Sequence, residues 1–321
     1  MKVAICGAGD MGGVHFDTFS KIEGVKVVAV SDPDAPKLGA FAGKGVKVYA
    51  SSEEMIDKAG ADVVSIATPT AFHARLAIRA LSRGLHVFCE KPMARTVADG
   101  EAMVRAAKDA GRTLAVGYSL RFHEAYRVAR DYMMSGRLGR VGTVRTSRCA
   151  QATSAWHDDI EANGGAAFEL LTHDLDWLQW SLGPVKRVFA RGLARGRKTV
   201  DGDYVLAVVR FASGVIAHLE GSLAEVGEFY ATYEIAGDGG LISYDTRKSG
   251  VLQMRLLMSE GLRVTTDTPA LERPFARQIA SFVAAVREGR SYELSAEEAL
   301  PALRLAAAVL ESIDSGRPVI L

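Results

Sequence analysis

The sequence predicts an α/β domain built on a parallel sheet, followed by an α+β domain with a mixed, largely antiparallel sheet and flanking helices. Three observations carry this. Up to residue 118, short branched-aliphatic runs alternate with segments whose apolar residues return at helical spacing. Beyond that point the strand candidates lengthen and follow one another across Gly- and Asp-containing turns. A glycine cluster, Gly7-Ala8-Gly9-Asp10-Met11-Gly12, stands directly after the first apolar run.

In the first part, strands are expected at 3–6, 25–30, 46–49, 63–67, 86–89 and 114–117, with the clearest helices at 71–81 and 97–110. Val and Ile suit the pleated, buried strands, whereas Ala, Leu, Met and charged residues suit the covering helices. After Tyr118 a helix is expected at 121–135, ended by Arg137-Leu138-Gly139. Strands follow at 142–149, 185–192, 204–211, 215–222 and 229–236, with further helices at 167–182, 275–288 and 296–315. This organisation divides the chain into domains at 1–120 and 121–321.

The 321 residues suffice for two such domains. With 39 Lys and Arg against 38 Asp and Glu, the net charge of +1 gives no broad field for a polyanion, so nucleic acid is not an expected partner. Nothing resembles the roughly 20-residue apolar run that spans a bilayer, and no membrane partner is expected. Met1 to Cys6 reads as a first strand rather than a secretory signal. Cys6, Cys89 and Cys149 suggest neither a disulfide framework nor a metal knot, so a cytoplasmic protein is expected.

The glycine cluster sits where a strand would turn into a helix. There the first glycine permits a tight turn, the second lets a phosphate approach, and the third permits close helix contact. Amides at the helix start can then meet a pyrophosphate, which makes Gly7, Gly9, Asp10, Met11 and Gly12 candidates for dinucleotide binding in a Rossmann-type domain. Asp10 could instead point outward while the backbone forms the site. Asp32, twenty residues beyond Gly12, stands where a carboxylate takes the adenosine ribose and favours NAD. The alternative is that Ser31-Asp32-Pro33-Asp34 caps a helix, and Lys37 leaves NADP open.

Three separated features lead further: the glycine cluster, Glu90-Lys91-Pro92 after the fifth strand, and Gly164-Gly165 followed by Glu169, His173 and Asp176. With Thr68-Pro69, His73 and the Gly117-Tyr118 junction, their order resembles the glucose-fructose oxidoreductase/inositol dehydrogenase (Gfo/Idh/MocA) family over essentially the whole chain. The resemblance implies NAD(P)-dependent oxidation of a secondary alcohol on a cyclic sugar or cyclitol, with the reaction at the cleft of two domains. A small polyhydroxylated substrate and a homodimer or homotetramer formed through the second domain's sheet are implied as well. Retained-cofactor elimination or epimerisation and a nonhydrolytic nicotinamide-dependent sensor are the alternatives; no metal site is expected.

The resemblance puts Lys91 at the family's catalytic-lysine position, donating to the reacting oxygen. A solvated lysine beside Glu90 is the plainer alternative, and Glu90 is counted with the cofactor contacts. Spacing in a helix at 167–182 puts Glu169, His173 and Asp176 on roughly one face. His173 could take the alcohol proton, Glu169 could orient its imidazole, and Asp176 could hold substrate hydroxyls or fix the helix. The family commonly has Asp where Glu169 stands, which weakens an inositol-specific assignment; Ala166-Ala167 replaces a more glycine-rich approach and could keep close packing while altering the pocket shape. Tyr118 and Arg121 are candidate substrate contacts or boundary packing. Trp156 and His157 could stack on and bond a polyol from a loop. Thr68, Pro69 and His73 resemble the family's cofactor-facing turn.

Overall fold

The computed structural model describes residues 1–151, 163–193, 204–248, 252–267 and 273–321. The chain forms two compact units, Met1–Tyr118 with Phe275–Leu303, and Ser119–Pro274 with Arg304–Leu321.

The first unit holds β1 (Lys2–Cys6), β2 (Lys26–Ser31), β3 (Lys47–Tyr49), β4 (Val63–Ile66), β5 (His86–Cys89) and β6 (Leu114–Val116) in one parallel sheet of order β3-β2-β1-β4-β5-β6. Val3 to Cys6 and Val63 to Ile66 are wholly buried, which is why these central strands are apolar apart from Ser65. The order reverses between β1 and β4, and the carboxyl ends of the strands on either side of that point are where doubly wound sheets take ligands.

Between the strands run α1 (Asp10–Ser20), α2 (Ala35–Gly39), α3 (Ser52–Lys58), α4 (His73–Ser82) and α5 (Val97–Ala110). Ser51 Oγ caps α3 by accepting from the Glu54 amide, and Thr96 caps α5 by accepting from Asp99. Gly111, with φ +59°, ends α5 in the left-handed conformation.

Residues 275–303 return to the first sheet: Gln278 Nε2 donates to the Val116 carbonyl at 2.8 Å, and Phe282 meets Phe88 edge-on at 5.5 Å. A bridge also pairs Ser295 with Ala115.

In the second unit, α6 (Glu124–Met134) precedes β7 (Val141–Cys149), and α7 (Thr172–Leu182) precedes β8 (Val185–Leu193). There follow β9 (Tyr204–Phe211), β10 (Ile216–Ser222), β11 (Tyr230–Gly237), β12 (Gly240–Asp245), β13 (Leu252–Met258) and β14 (Gly261–Asp267). Then come α8 (Pro274–Glu288), α9 (Ala296–Ser315), which crosses from the first unit into the second, and β15 (Val319–Ile320). The sheet has nine strands in the order β14-β13-β12-β11-β7-β10-β9-β8-β15. The β7/β10 pair is parallel and the rest are antiparallel, in keeping with a largely antiparallel sheet.

One face of this sheet is buried by alternation, as Val205, Ala207, Val209 and Phe211 show along β9. Tyr126 of α6 and Trp177 of α7 pack edge to face at 4.9 Å, and Tyr126 meets Tyr233 of β11 at 5.0 Å. Their polar ends are satisfied: Trp177 Nε1 donates to the Tyr126 carbonyl, and the Tyr233 hydroxyl donates to that of Ala125.

Several elements depart from the sequence expectations. Strands β12 to β14 extend the sheet beyond residue 236. The helix expected from 121 begins with a 3₁₀ turn, Ser119–Phe122, and α6 starts at Glu124. The helix expected over 167–182 opens with a π turn, Ala167–Leu171. Among the described residues no helix is long and apolar enough to cross a membrane.

Candidate functional site

The turn from β1 to α1 is built by its glycines. Gly7 has φ +99°, and a Cβ there would stand 2.3 Å from the Ala67 carbonyl oxygen. A Cβ at Gly12 would stand 2.1 Å from the Gly7 carbonyl oxygen, so both positions exclude a side chain. At Gly9 a Cβ would meet nothing within 4 Å. Gly9 is also the N-cap of α1 and supplies no side-chain cap to the amides of the first turn. Asp10 is exposed and Met11 part-exposed. Nearby, Thr68 Oγ1 is buried without a hydrogen-bond partner among the described residues. Open space at Gly9, uncapped amides and an unused hydroxyl fit a pyrophosphate.

Asp32 follows β2 and is buried. Its Oδ2 accepts the Ala8 amide at 2.8 Å and its Oδ1 accepts the Asp34 amide at 2.9 Å. Each carboxylate oxygen has a second lone pair, so bracing the turn and accepting a ribose hydroxyl are compatible tasks. Lys37 lies 3.5 Å from Asp34, with both side chains well exposed.

His73 heads α4 with its ring buried between two loops. Nε2 lies 2.8 Å from the Thr68 carbonyl and Nδ1 2.9 Å from the Pro92 carbonyl. Carbonyls only accept, so a ring nitrogen that carries a proton donates to the carbonyl it faces. The imidazole thereby staples the loop after β4, with its exposed Pro69, to the loop after β5.

Lys91 is part-exposed just past the carboxyl end of β5, and its peptide bond to Pro92 is cis. Glu90 turns inward: Oε1 lies 2.9 Å from His15 Nε2, and Oε2 accepts the Lys91 amide at 3.2 Å. Burial pushes the Glu90 carboxyl up, but the hydrogen bond and charge of His15, with the Lys91 ammonium and amide, outweigh it and hold the group below its ordinary range. His15 escaped the sequence reading. The available signal was its place with Gly12 and Phe19 on the buried stripe of α1. The neighbouring thiols of Cys6 and Cys89 are pushed up by burial, Cys6 to about 12, which makes them inert packing groups.

In the second unit, residues 163 to 178 are buried except Glu169 and His173, which are part-exposed. The acidic residues around them are committed elsewhere. Asp176 receives Arg121 Nε and Nη2, and Asp174 receives Arg148 Nε at 2.7 Å and Nη2 at 3.1 Å. Arg148 Nη2 also donates to the Tyr126 hydroxyl. Tyr118, the last residue of the first unit's leading segment, is fully buried. Trp156 and His157 lie outside the described residues. Among the described residues no group of three or more His, Cys, Asp or Glu side chains forms a metal site.

Known proteins share this architecture. Residues 1–118 match the profile described as an oxidoreductase family, NAD-binding Rossmann fold, and residues 131–321 match that family's C-terminal alpha/beta domain. A myo-inositol 2-dehydrogenase of Thermotoga maritima is 27% identical over 330 residues, covering 99% of this chain and 98% of that protein. A levoglucosan dehydrogenase of Pseudarthrobacter phenanthrenivorans is 28% identical over 318 residues, covering 84% and 81%. A solved levoglucosan dehydrogenase in complex with NADH and L-sorbose shares the fold with a TM-score of 0.89 at 24% identity, covering 100% of this chain and 98% of that one. With both family domains matched in order along nearly its full length, the chain belongs to the Gfo/Idh/MocA oxidoreductases.

Proposed function

We propose that the protein reversibly oxidises a secondary alcohol of a cyclic sugar or cyclitol to the ketone. The observation that carries this reading is the part-exposed Lys91 at the carboxyl end of β5, beside an ionised, inward-facing Glu90. NAD, when bound along the Gly7–Gly12 turn with its ribose at Asp32, supplies the hydride acceptor. The Lys91 ammonium donates to the alcohol oxygen and stabilises the charge that develops there as the carbon–oxygen bond gains double character. His173 takes the hydroxyl proton, and Glu169 supports the imidazolium that results. Buried against each other, Arg121 and Asp176 brace α7 against the turn before α6. His73 and Thr68 hold the loop that borders the phosphates, with Pro69 at its open side.

A small polyhydroxylated substrate suits this chemistry and agrees with the names of the relatives. Three buried free thiols suit a reducing cytoplasm. Leu206, Leu262 and Val264 are exposed on strands of the second sheet, which supports a homodimer or homotetramer assembled on it.

The test is a screen of the purified protein with NAD and a panel including myo-inositol and levoglucosan, following both nicotinamide absorbance and product chromatography. A ketone formed with one NADH per turnover is expected. A rearranged product without net NADH would replace simple oxidation by retained-cofactor chemistry. NADH binding with no change in any cyclic polyol would leave a sensor and overturn the proposal.

A further inference from the structure

We propose that His15 is a positioning residue for Lys91, acting through the carboxylate of Glu90. The inference rests on the reading of Lys91 as the group that meets the reacting oxygen.

His15 lies on α1, far from any surface, with no exposed area. The edges of its ring contact Phe19 and Phe88 at 6.5 and 5.4 Å between centroids, so its plane is fixed by packing. Both nitrogens are then committed. An ionised carboxylate only accepts, so Nε2 carries the proton shared with Glu90 Oε1 at 2.9 Å. Nδ1 faces Ser65 Oγ at 2.8 Å, a hydroxyl that can donate to it or accept from it, so the ring is held from the opposite side as well.

Glu90 passes this arrangement on. Its second oxygen accepts the Lys91 amide, so the carboxylate bridges the middle of α1 and the backbone of the residue past β5. Gly117 leaves room for the bridge: a Cβ there would stand 3.0 Å from Oε2 and press on the carboxylate. A buried carboxylate without a donor either takes up a proton or leaves the site. His15 therefore supplies what lets Glu90 stay ionised beside the Lys91 ammonium while holding the Lys91 backbone. Packing alone would be served by Leu or Met at this position; the two ring nitrogens would not be needed.

The test compares His15→Gln with His15→Asn. The Gln amide reaches where Nε2 stands and can still donate to Glu90, whereas Asn reaches only as far as Nδ1. Two readouts need no turnover: amide hydrogen exchange in the peptide containing Lys91, with α5 as the internal reference, and titration of the ¹³C-methylated Lys91 amine, its signal assigned with Lys91→Arg. His15→Asn should raise exchange at Lys91 roughly ten-fold, the loss of one hydrogen bond to a charged group, leave α5 unchanged, and shift the Lys91 titration. His15→Gln should return both toward the parent. In the turnover assay kcat should fall with NADH affinity retained. If His15→Asn does not fold, Ser65→Ala, which removes only the Nδ1 partner, should move both readouts in the same direction by less. Parental exchange and titration in His15→Asn, or equal effects in Asn and Gln, would overturn the proposal. The catalytic reading fails separately, if Lys91→Met keeps hydride transfer.

Discussion

Arg121 and Asp176 close on each other through two parallel N–H···O bonds, Nε to Oδ2 at 2.9 Å and Nη2 to Oδ1 at 2.6 Å, with both side chains buried. The pair joins the 3₁₀ turn before α6 to the middle of α7. Asp176→Ala removes both carboxylate acceptors from a buried guanidinium. The expected cost is about 3–5 kcal/mol, read as a lower urea midpoint. A midpoint within error of the parent would show that the guanidinium finds water or another acceptor.

Lys91→Met removes the ammonium and keeps most of the aliphatic volume. NADH affinity, followed by nicotinamide fluorescence, should stay within about two-fold, while single-turnover hydride transfer falls by roughly 10²–10³, the range for loss of one donor to a developing oxyanion. Near-parental transfer in the folded, NADH-bound variant would remove Lys91 from the chemistry.

His173→Gln keeps a polar side chain but loses the imidazole that can take up a proton, so the expected loss is roughly 10²–10⁴ in the chemical step with little change in NADH binding. Glu169→Asp keeps the charge and draws it back by one methylene. Its expected signature is a displaced pH–rate profile. An unchanged profile in both variants would refute acid–base work on this helix.

Asp32→Ala should lose roughly ten-fold in NADH affinity and narrow the preference for NADH over NADPH, because the carboxylate that opposes a 2′-phosphate is gone. Tighter binding of NADPH than NADH by the parent protein would overturn the preference itself.

His86 Nδ1 accepts the Thr113 amide at 3.1 Å, a bond that requires the nitrogen to be unprotonated. Burial, reinforced by the Arg112 charge, holds the His86 pKa below its ordinary 6.5. The unfolded chain therefore binds a proton here before the folded one does, and this contribution to stability is lost as pH falls below 6.5. His86→Asn keeps an acceptor without titrating. Between pH 7 and 5 its melting temperature should fall less than the parent's; parallel curves would place the pH dependence elsewhere.

Residues buried on both faces declare themselves. Strands β1, β4 and β5 read as short, mainly apolar segments, KVAIC, VVSI and HVFC, and the glycine cluster after β1 needs no tertiary information to be recognised. Strand β14 was silent for the opposite reason: Gly261 to Asp267 is mostly exposed, so no alternation is imposed on it. The π turn is invisible to spacing rules, because an i→i+5 turn advances each residue by less than the ~100° of an α-helix. Glu169 and His173 are part-exposed, whereas Asp176 is buried. Glu90 and His15 were illegible as partners because 75 residues separate them, and only the sheet order brings α1 beside the end of β5.

The first sheet does not finish with the chain segment that supplies its strands. Val116 receives Gln278, Phe88 receives Phe282, and Ala115 pairs with Ser295. During synthesis at about 5–20 residues per second, a nascent chain that has delivered all six parallel strands still waits for more than half of its remaining length before those positions are covered. The ribosome thus exposes a nearly complete but unsealed core for roughly ten seconds or more, a window in which chaperone demand should be greatest and in which a fragment ending at residue 118 would remain indefinitely.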